Sequence, residues 1–406
     1  MIALFMENKM FRAFLGYEFF SGLGGGIFSL FMLLSVHLLY ANPIYTCIAG
    51  FLIAVPFIFS VAIGPMVDKS KKPAILRRTT LIECAALALL AFTPLHEQIG
   101  ILFMFAMILV FSIAALFESP SSTAFLPQIV TGEKIVKANS LIEITKLIGG
   151  LGIAALLFLS LRDGENFTFI YGVSAVFLAI AFLIALFLKE PDKRKTSEEK
   201  KSPSYLSDLK AGAAFIKQNV LLFIVIASTS MVVFAEIASI NRPEFYEYYA
   251  GAQGYIVFGI MGLIGGIIAS VLAGTLGGSF KAGRLIFALM LIAGGIRIAF
   301  VFVLPVSFVG ALVIAVFYAA FSSPISIIFS SLEQQIPPKD MVGRVATMTT
   351  TFAAVFVAIG ALFGGFLGSI VAVVDHIFIL HGISYGVIAV FILLVPGIRR
   401  LPKRDA

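Results

Sequence analysis

The sequence predicts an all-α polytopic membrane protein, with twelve transmembrane helices in two pseudo-symmetric six-helix bundles. Three observations carry that expectation. The chain has 406 residues, of which 60% are hydrophobic and 13% charged, whereas a soluble domain is about half apolar and a quarter charged. Its mean hydropathy is +1.05, too high for a soluble core to absorb. The apolar residues also form runs long enough to cross roughly 30 Å of hydrocarbon, which takes about 20 residues of helix. Finally, cations gather in alternate loops, the pattern that sets membrane orientation.

The expected spans, in order, are 12–39, 44–65, 78–95, 98–120, 138–161 and 167–189, then 219–240, 252–278, 283–304, 308–331, 343–370 and 375–396. Apolar residues surround most segments rather than alternating along them, which favours helices over barrel strands. If the side of the N-terminus is called A, it carries 25 of the 29 Lys and Arg residues. The opposite side carries only Arg162 and Arg242, while Lys146 and Arg297 fall inside spans. Side A is therefore expected to be cytoplasmic, with both termini inside a cell membrane that the chain crosses many times. The net charge of +7 follows from this loop pattern and points to no nucleic-acid partner. No signal peptide is expected, because the first apolar run is too long for an h-region. Cys47 and Cys84 lie in apolar runs and read as small core residues.

The polar segment EPDKRKTSEEKKSPS, 190–204, divides the spans six and six and has the composition of a flexible linker. Beyond it Tyr205, Leu209, Ala213 and Ile216 recur at helical spacing, which predicts a short surface helix. The expected organisation is a bundle over 1–189, a cytoplasmic linker with that helix over 190–218, and a second bundle over 219–406. The halves echo one another. FESPSS (117–122) in span four corresponds to FSSPIS (321–326) in span ten, Gln128-Ile129 to Gln335-Ile336, and VKANSL (136–141) to VGRVAT (342–347). A six-plus-six repeat implies a substrate pathway at the membrane midplane, exposed alternately to each side.

The loop after span two reads GPMVDKSKKPAILRR. Together with twelve spans and a basic central loop, it resembles the major facilitator superfamily, whose motif there is Gly-x-x-x-Asp-Arg-x-Gly-Arg-Lys. This sequence has Gly64, Asp68, Lys69, Lys71 and Lys72, but the second glycine is missing, with Lys71 in or near its place. SPSSTAFLPQIVTGEKIVKANSL (119–141) is similar to the corresponding segment of macrolide-efflux-like drug/proton antiporters. That subfamily also includes siderophore and lysophospholipid transporters. Two features depart from it: span four has no arginine, and LIGGLG (147–152) lacks the proline of a span-five glycine motif. A closer glycine pattern is GALFGGFLG (360–368) in span eleven. The resemblance implies that Asp68 faces the start of span eleven, where Arg344 is the cationic partner in this chain, so that the two latch the halves on the cytoplasmic side.

Ionisable residues inside spans are costly, about 2.5–3.5 kcal/mol at the centre, and mark cavities or partners. Glu18 lies in span one just before GLGGG (22–26) and suits proton coupling or cation recognition, or else an interfacial bond to a neighbouring helix. Glu143 and Lys146, at i,i+3 in span five, read either as a self-neutralising pair or as a gate. Glu118 precedes Ser119-Pro120, where span four is expected to end or kink, and suggests a structural or gating contact to the loop motif. Glu83 is a weaker interfacial case. Glu236 and Arg297 fall at compatible depths in the outer half and form a candidate pair, structural or in the pathway. The remaining cavity is expected to be apolar and aromatic, rich in Phe and Met.

Other chemistries find little support. His37, His96, His376 and His381 are placed mostly at outer span ends. Neither HExxH nor GxxxxGK[ST] occurs. No enzyme activity, cofactor or metal site is expected. The expected partners are the lipid bilayer, a small amphipathic molecule and a proton, handled by a monomer. The reading is a secondary active transporter exporting hydrophobic or amphipathic drug-like compounds, with a siderophore exporter or lysophospholipid transporter as the alternative.

Overall fold

A computed structural model describes residues 8–60, 63, 66–67, 70–93, 98–130, 134–162, 166–190, 205–276, 282–337, 342–370 and 375–395. These residues are helical throughout their ordered elements, and no strand occurs among them. In chain order the helices are α1 Lys9–Tyr40, α2 Pro43–Ala54 with a 3₁₀ turn Val55–Phe59, α3 Lys72–Phe92, α4 Gln98–Ile129, α5 Lys134–Arg162 and α6 Phe167–Ala185. They continue as α7 Tyr205–Gln218, α8 Leu221–Ile240, α9 Arg242–Leu276, α10 Ala282–Val303, α11 Phe308–Gln335, α12 Val342–Ile370 and α13 Asp375–Leu394. Among the described residues, nine helices are long and apolar enough to cross a membrane. The other expected spans fall on the shorter apolar stretch Pro43–Phe59, on α3 and on α5. The last two carry cations in their first turns and acids further along, which dilutes their hydropathy.

The chain divides into two compact units. One comprises Met1–Ala41 and Leu52–Lys201, the other Asn42–Phe51 and Ser202–Ala406. The first turns of α2 thus group with the second unit. There Cys47 Sγ donates to Leu362 O at 3.5 Å, and the glycines of α12 lie against it. The expected linker, from 191 to 204, lies outside the described residues, whereas the helix after it is present as α7, with Ile216 buried.

The internal echo seen in the sequence recurs in the packing. In the first unit α1 packs on α6 and α5, α6 on α3, α3 on α4, and α4 on the 3₁₀ turn. In the second unit α8 packs on α13 and α12, α13 on α10, α10 on α11, and α11 on α9. The same set of partners recurs in each.

Both Ser-Pro segments lie inside continuous helices, Pro120 in α4 and Pro324 in α11. Span four therefore does not stop at Ser119-Pro120, as the sequence suggests, but runs on to Ile129. A proline removes one ladder bond, and neighbouring hydroxyls in a membrane helix re-satisfy freed carbonyls. The carbonyl freed by Pro120 is Leu116 O, and the carbonyls just beyond it accept from side-chain hydroxyls: Ser121 donates to Phe117 O at 2.7 Å and Thr123 to Ser119 O at 3.0 Å. α9 does break. Gly251 has φ 64° and ψ 177°, separating a short aromatic-rich helix, 242–250, from the span proper. Only glycine adopts that backbone region readily.

Candidate functional site

Each unit holds a cluster of buried polar side chains. In the first unit, α1 approaches α6 so closely that a Cβ on Gly24 would fall 2.6 Å from Leu178 Cγ and 2.9 Å from Ser174 O. This explains Gly24 of the GLGGG run: a small residue lets backbones touch where lipid supplies no hydrophobic drive. One or two turns before it, Tyr17, Glu18 and Ser21 face α3 and α4. The Tyr17 hydroxyl donates to Glu118 Oε1 at 2.5 Å and lies 3.0 Å from Thr80 Oγ1. Ser21 donates to the same Glu118 oxygen at 2.6 Å. Glu83 on α3 is 1% exposed, with Glu118 as its neighbouring carboxyl group, and its Oε1 is buried without a hydrogen-bond partner. Two carboxylates so placed repel one another when both are ionised.

One turn along α4 from Glu118, Ser122 donates to Glu18. Lys146 on α5 places its Nζ 3.8 Å from Glu18 Oε2. The result is a pocket of three carboxyl groups, from Glu18, Glu83 and Glu118, with one ammonium beside it. The sequence reading ranked Glu83 lowest of these; position within a span says nothing about which face a side chain presents. Glu118 contacts α1 and α3 rather than a loop. Lys146 meets Glu18, and the side chain of Glu143 lies outside the described residues.

Gly64, Asp68 and Lys69 also lie outside the described residues, as does the side chain of Arg344, so the Asp68–Arg344 latch has no described geometry. Lys72 is buried and ties down its own loop, donating to Val67 O at 2.9 Å and Ser70 O at 3.1 Å.

In the second unit, a cavity of about 410 Å³ opens among α8, α11, α12 and α13. Its wall carries hydroxyls, among them Ser228, Thr229, Ser322, Ser326, Thr349 and Tyr385, together with Met231 and Phe329. That volume falls in the range of small-molecule pockets. It is more polar than the Phe- and Met-rich site expected from composition, because the Ser-Pro segment of α11 and the threonines of α12 turn inward together.

Tyr385 leads from the cavity wall to a buried basic and aromatic group. α10 and α13 cross at Gly294 and Gly382, where a Cβ on Gly294 would fall 2.7 Å from Gly382 O. The close crossing sets Arg297 beside His381, and both are buried, at 4% and 2% exposure. The Arg297 guanidinium lies 4.4 Å from the Phe378 ring centre and 4.9 Å from that of Tyr318. The expected Glu236–Arg297 pair does not form: the charged neighbour of Glu236 is Arg242. Arg242, counted in the sequence only as a loop cation, is carried inward by the short helix before Gly251, which packs Phe245 on Phe378 at 3.9 Å and Tyr246 on Phe258 at 4.6 Å. His381 lies in the interior of α13 rather than at a span end. Among the described residues, no group of three or more His, Cys, Asp or Glu is placed to hold a metal ion.

The sequence profile of the Major Facilitator Superfamily matches residues 14–359. The chain belongs to that superfamily. No curated protein sequence matches the chain. Among solved structures, the nucleoside transporter NupG superposes with a TM-score of 0.75 at 12% identity, covering 97% of this chain and 100% of that one. The POT family transporter PepTSo gives 0.73 at 12% identity, with 95% and 97% covered. A D-xylose-proton symporter gives 0.69 at 16% identity, with 97% of each chain covered. At these identities the likeness is one of fold. The superfamily member is a multi-pass membrane transporter rather than an enzyme.

Proposed function

We propose that this superfamily member is a proton-coupled secondary transporter that exports amphipathic small molecules across the cell membrane. It acts by alternating access as a monomer with both termini in the cytoplasm. The macrolide-efflux-like antiporters are the subfamily its 119–141 segment favours. The observation that carries proton coupling is the carboxyl cluster of the first unit. Glu83 lies buried beside Glu118, Tyr17 and Ser21 donate to Glu118, and Glu18 lies one helical turn away with Lys146 as its counter-ion. Movement of α1 against α4 changes how many hydroxyls reach these acids, and with that the number of protons they hold. Such a change is what couples a proton to a conformational cycle.

The test is dye transport in proteoliposomes under an imposed pH gradient, with counterflow exchange measured in parallel. Glu83→Gln and Glu118→Gln are expected to lose uphill, gradient-driven transport while keeping exchange. Glu18→Gln is expected to weaken coupling and to make Lys146 dispensable. Gradient-driven transport surviving in the Glu83→Gln, Glu118→Gln double variant would overturn proton coupling at this cluster.

A further inference from the structure

The second unit carries an imbalance that proton coupling leaves unexplained. Arg297 is buried in α10, and its Nε and Nη2 donate to nothing among the described residues. Both ring nitrogens of His381 are likewise buried without a partner. Buried N–H groups left without acceptors are destabilising, and more so when they belong to a charged group. The aromatic rings around Arg297 offset part of this through cation–π attraction. They still leave Nε and Nη2 without an acceptor.

The neighbourhood does not supply an acid for it. Glu236 is engaged electrostatically with Arg242, which also acts on His381, Tyr318 and Tyr385. The hydroxyls of Tyr318 and Tyr385 lie 3.1 Å apart, and the Tyr385 ring is 5.4 Å from that of His381. Tyr385 also forms part of the wall of the hydroxyl-lined cavity. A ligand in that cavity is therefore one tyrosine away from an arginine and a histidine with free donors. A planar guanidinium edge is the group best matched to a carboxylate or phosphate.

We propose that Arg297, His381 and the Tyr318–Tyr385 hydroxyl pair form a binding site for the anionic group of a ligand held in the second-unit cavity. The ligand class is an amphipathic organic anion, with a carboxylate, sulfonate or phosphate at one end. Its anionic end accepts from Arg297 and from an N–H of His381, and its body lies against the cavity's hydroxyls, Met231 and Phe329. The choice of ligand rests on the transport reading, but the site does not depend on proton coupling.

Binding to the purified full-length protein separates the two. Thermal stabilisation is measured with 4-phenylbutyrate, with its neutral isostere 4-phenylbutyramide, and with acetate and inorganic phosphate. Phenylbutyrate is expected to raise the Tm of the wild type and the amide to leave it unchanged. Arg297→Gln is expected to weaken phenylbutyrate binding at least tenfold, Arg297→Lys to retain part of it, and His381→Gln to fall between. Equal shifts with acetate or phosphate would keep the anion site and assign it to a free inorganic ion rather than to a substrate end. Equal shifts with acid and amide, no shift with any anion, or undiminished binding in an Arg297→Gln protein that still melts cooperatively would overturn the proposal. Loss of gradient-driven transport with binding intact would bear on the coupling reading alone.

Discussion

Two neighbouring glycines of α10 make a controlled experiment. A Cβ on Gly294 would fall 2.7 Å from Gly382 O and 2.9 Å from Tyr385 Cβ, and neither atom can rotate away, whereas a Cβ on Gly295 meets nothing within 4 Å. Gly294→Ala must therefore push α10 and α13 apart. Overpacking of this kind costs about 1–3 kcal/mol. Gly295→Ala introduces no clash and removes the entropic cost of a helical glycine, a gain of about 0.5–1 kcal/mol. The helix gain is common to both variants and cancels, so they should differ by the clash alone, roughly 1–3 kcal/mol. At about 2–4 °C per kcal/mol for a unit of some 200 residues, that is a Tm gap of about 2–12 °C. Unfolding is followed with a thiol-reactive dye, because Cys47 is buried and Cys84 half-buried in the folded protein. Equal Tm values for the two variants would refute the close crossing. Gly294→Ala should also weaken anion binding, since the crossing is what places His381 beside Arg297.

Other expected outcomes follow from single contacts. Tyr17→Phe removes the hydroxyl that Glu118 accepts from. It should lower stability by about 1.5–3 kcal/mol, the range for bonds to charged groups, and the same dye assay reads it. Lys146→Met should cost under about 1 kcal/mol, because the ammonium is half-exposed; a larger Tm loss would mean the pair with Glu18 is structural. Gly251→Ala places a side chain at φ 64° and should cost about 1–3 kcal/mol by backbone strain alone. Its melting curve should fall below that of Gly259→Ala in the same helix, where nothing lies within 4 Å.

Much of the fold was legible in the sequence. Hydropathy places most helices within a few residues, the ends at Ile129 and Arg242 being the exceptions, and the Ser-Pro echo anticipates the matching set of helix partners in the two units. What failed did so for physical reasons. Pro120 signals a helix end in water, but a helix in lipid keeps its ladder at almost any cost, and here it continues through the proline. Arg242 was read as a topology cation because it falls outside a span; a sharp turn at Gly251 and four aromatic residues bring it inward. Glu83 and His381 looked peripheral because depth along a helix is visible in a sequence and rotation about its axis is not. The Gly294 and Gly382 crossing was the missing signal for His381, since paired small residues on two helices mark where side chains just beyond them will meet.

The order of partners in each unit also bears on how the chain is made. α1 packs chiefly against α6, the last helix of its unit, and α8 chiefly against α12, the last but one of its own, so the first helix of each unit finds its main neighbour late. Between Tyr40 at the end of α1 and Phe167 at the start of α6, a ribosome adding roughly 5–20 residues per second spends about 6–25 s. Tyr17 and Glu18 meet α3, α4 and α5 as these emerge within that interval, but the face of α1 at Gly24 has no helix to meet until α6 arrives. The insertion machinery must shelter that uncovered face for as long as the rest of the unit takes to emerge.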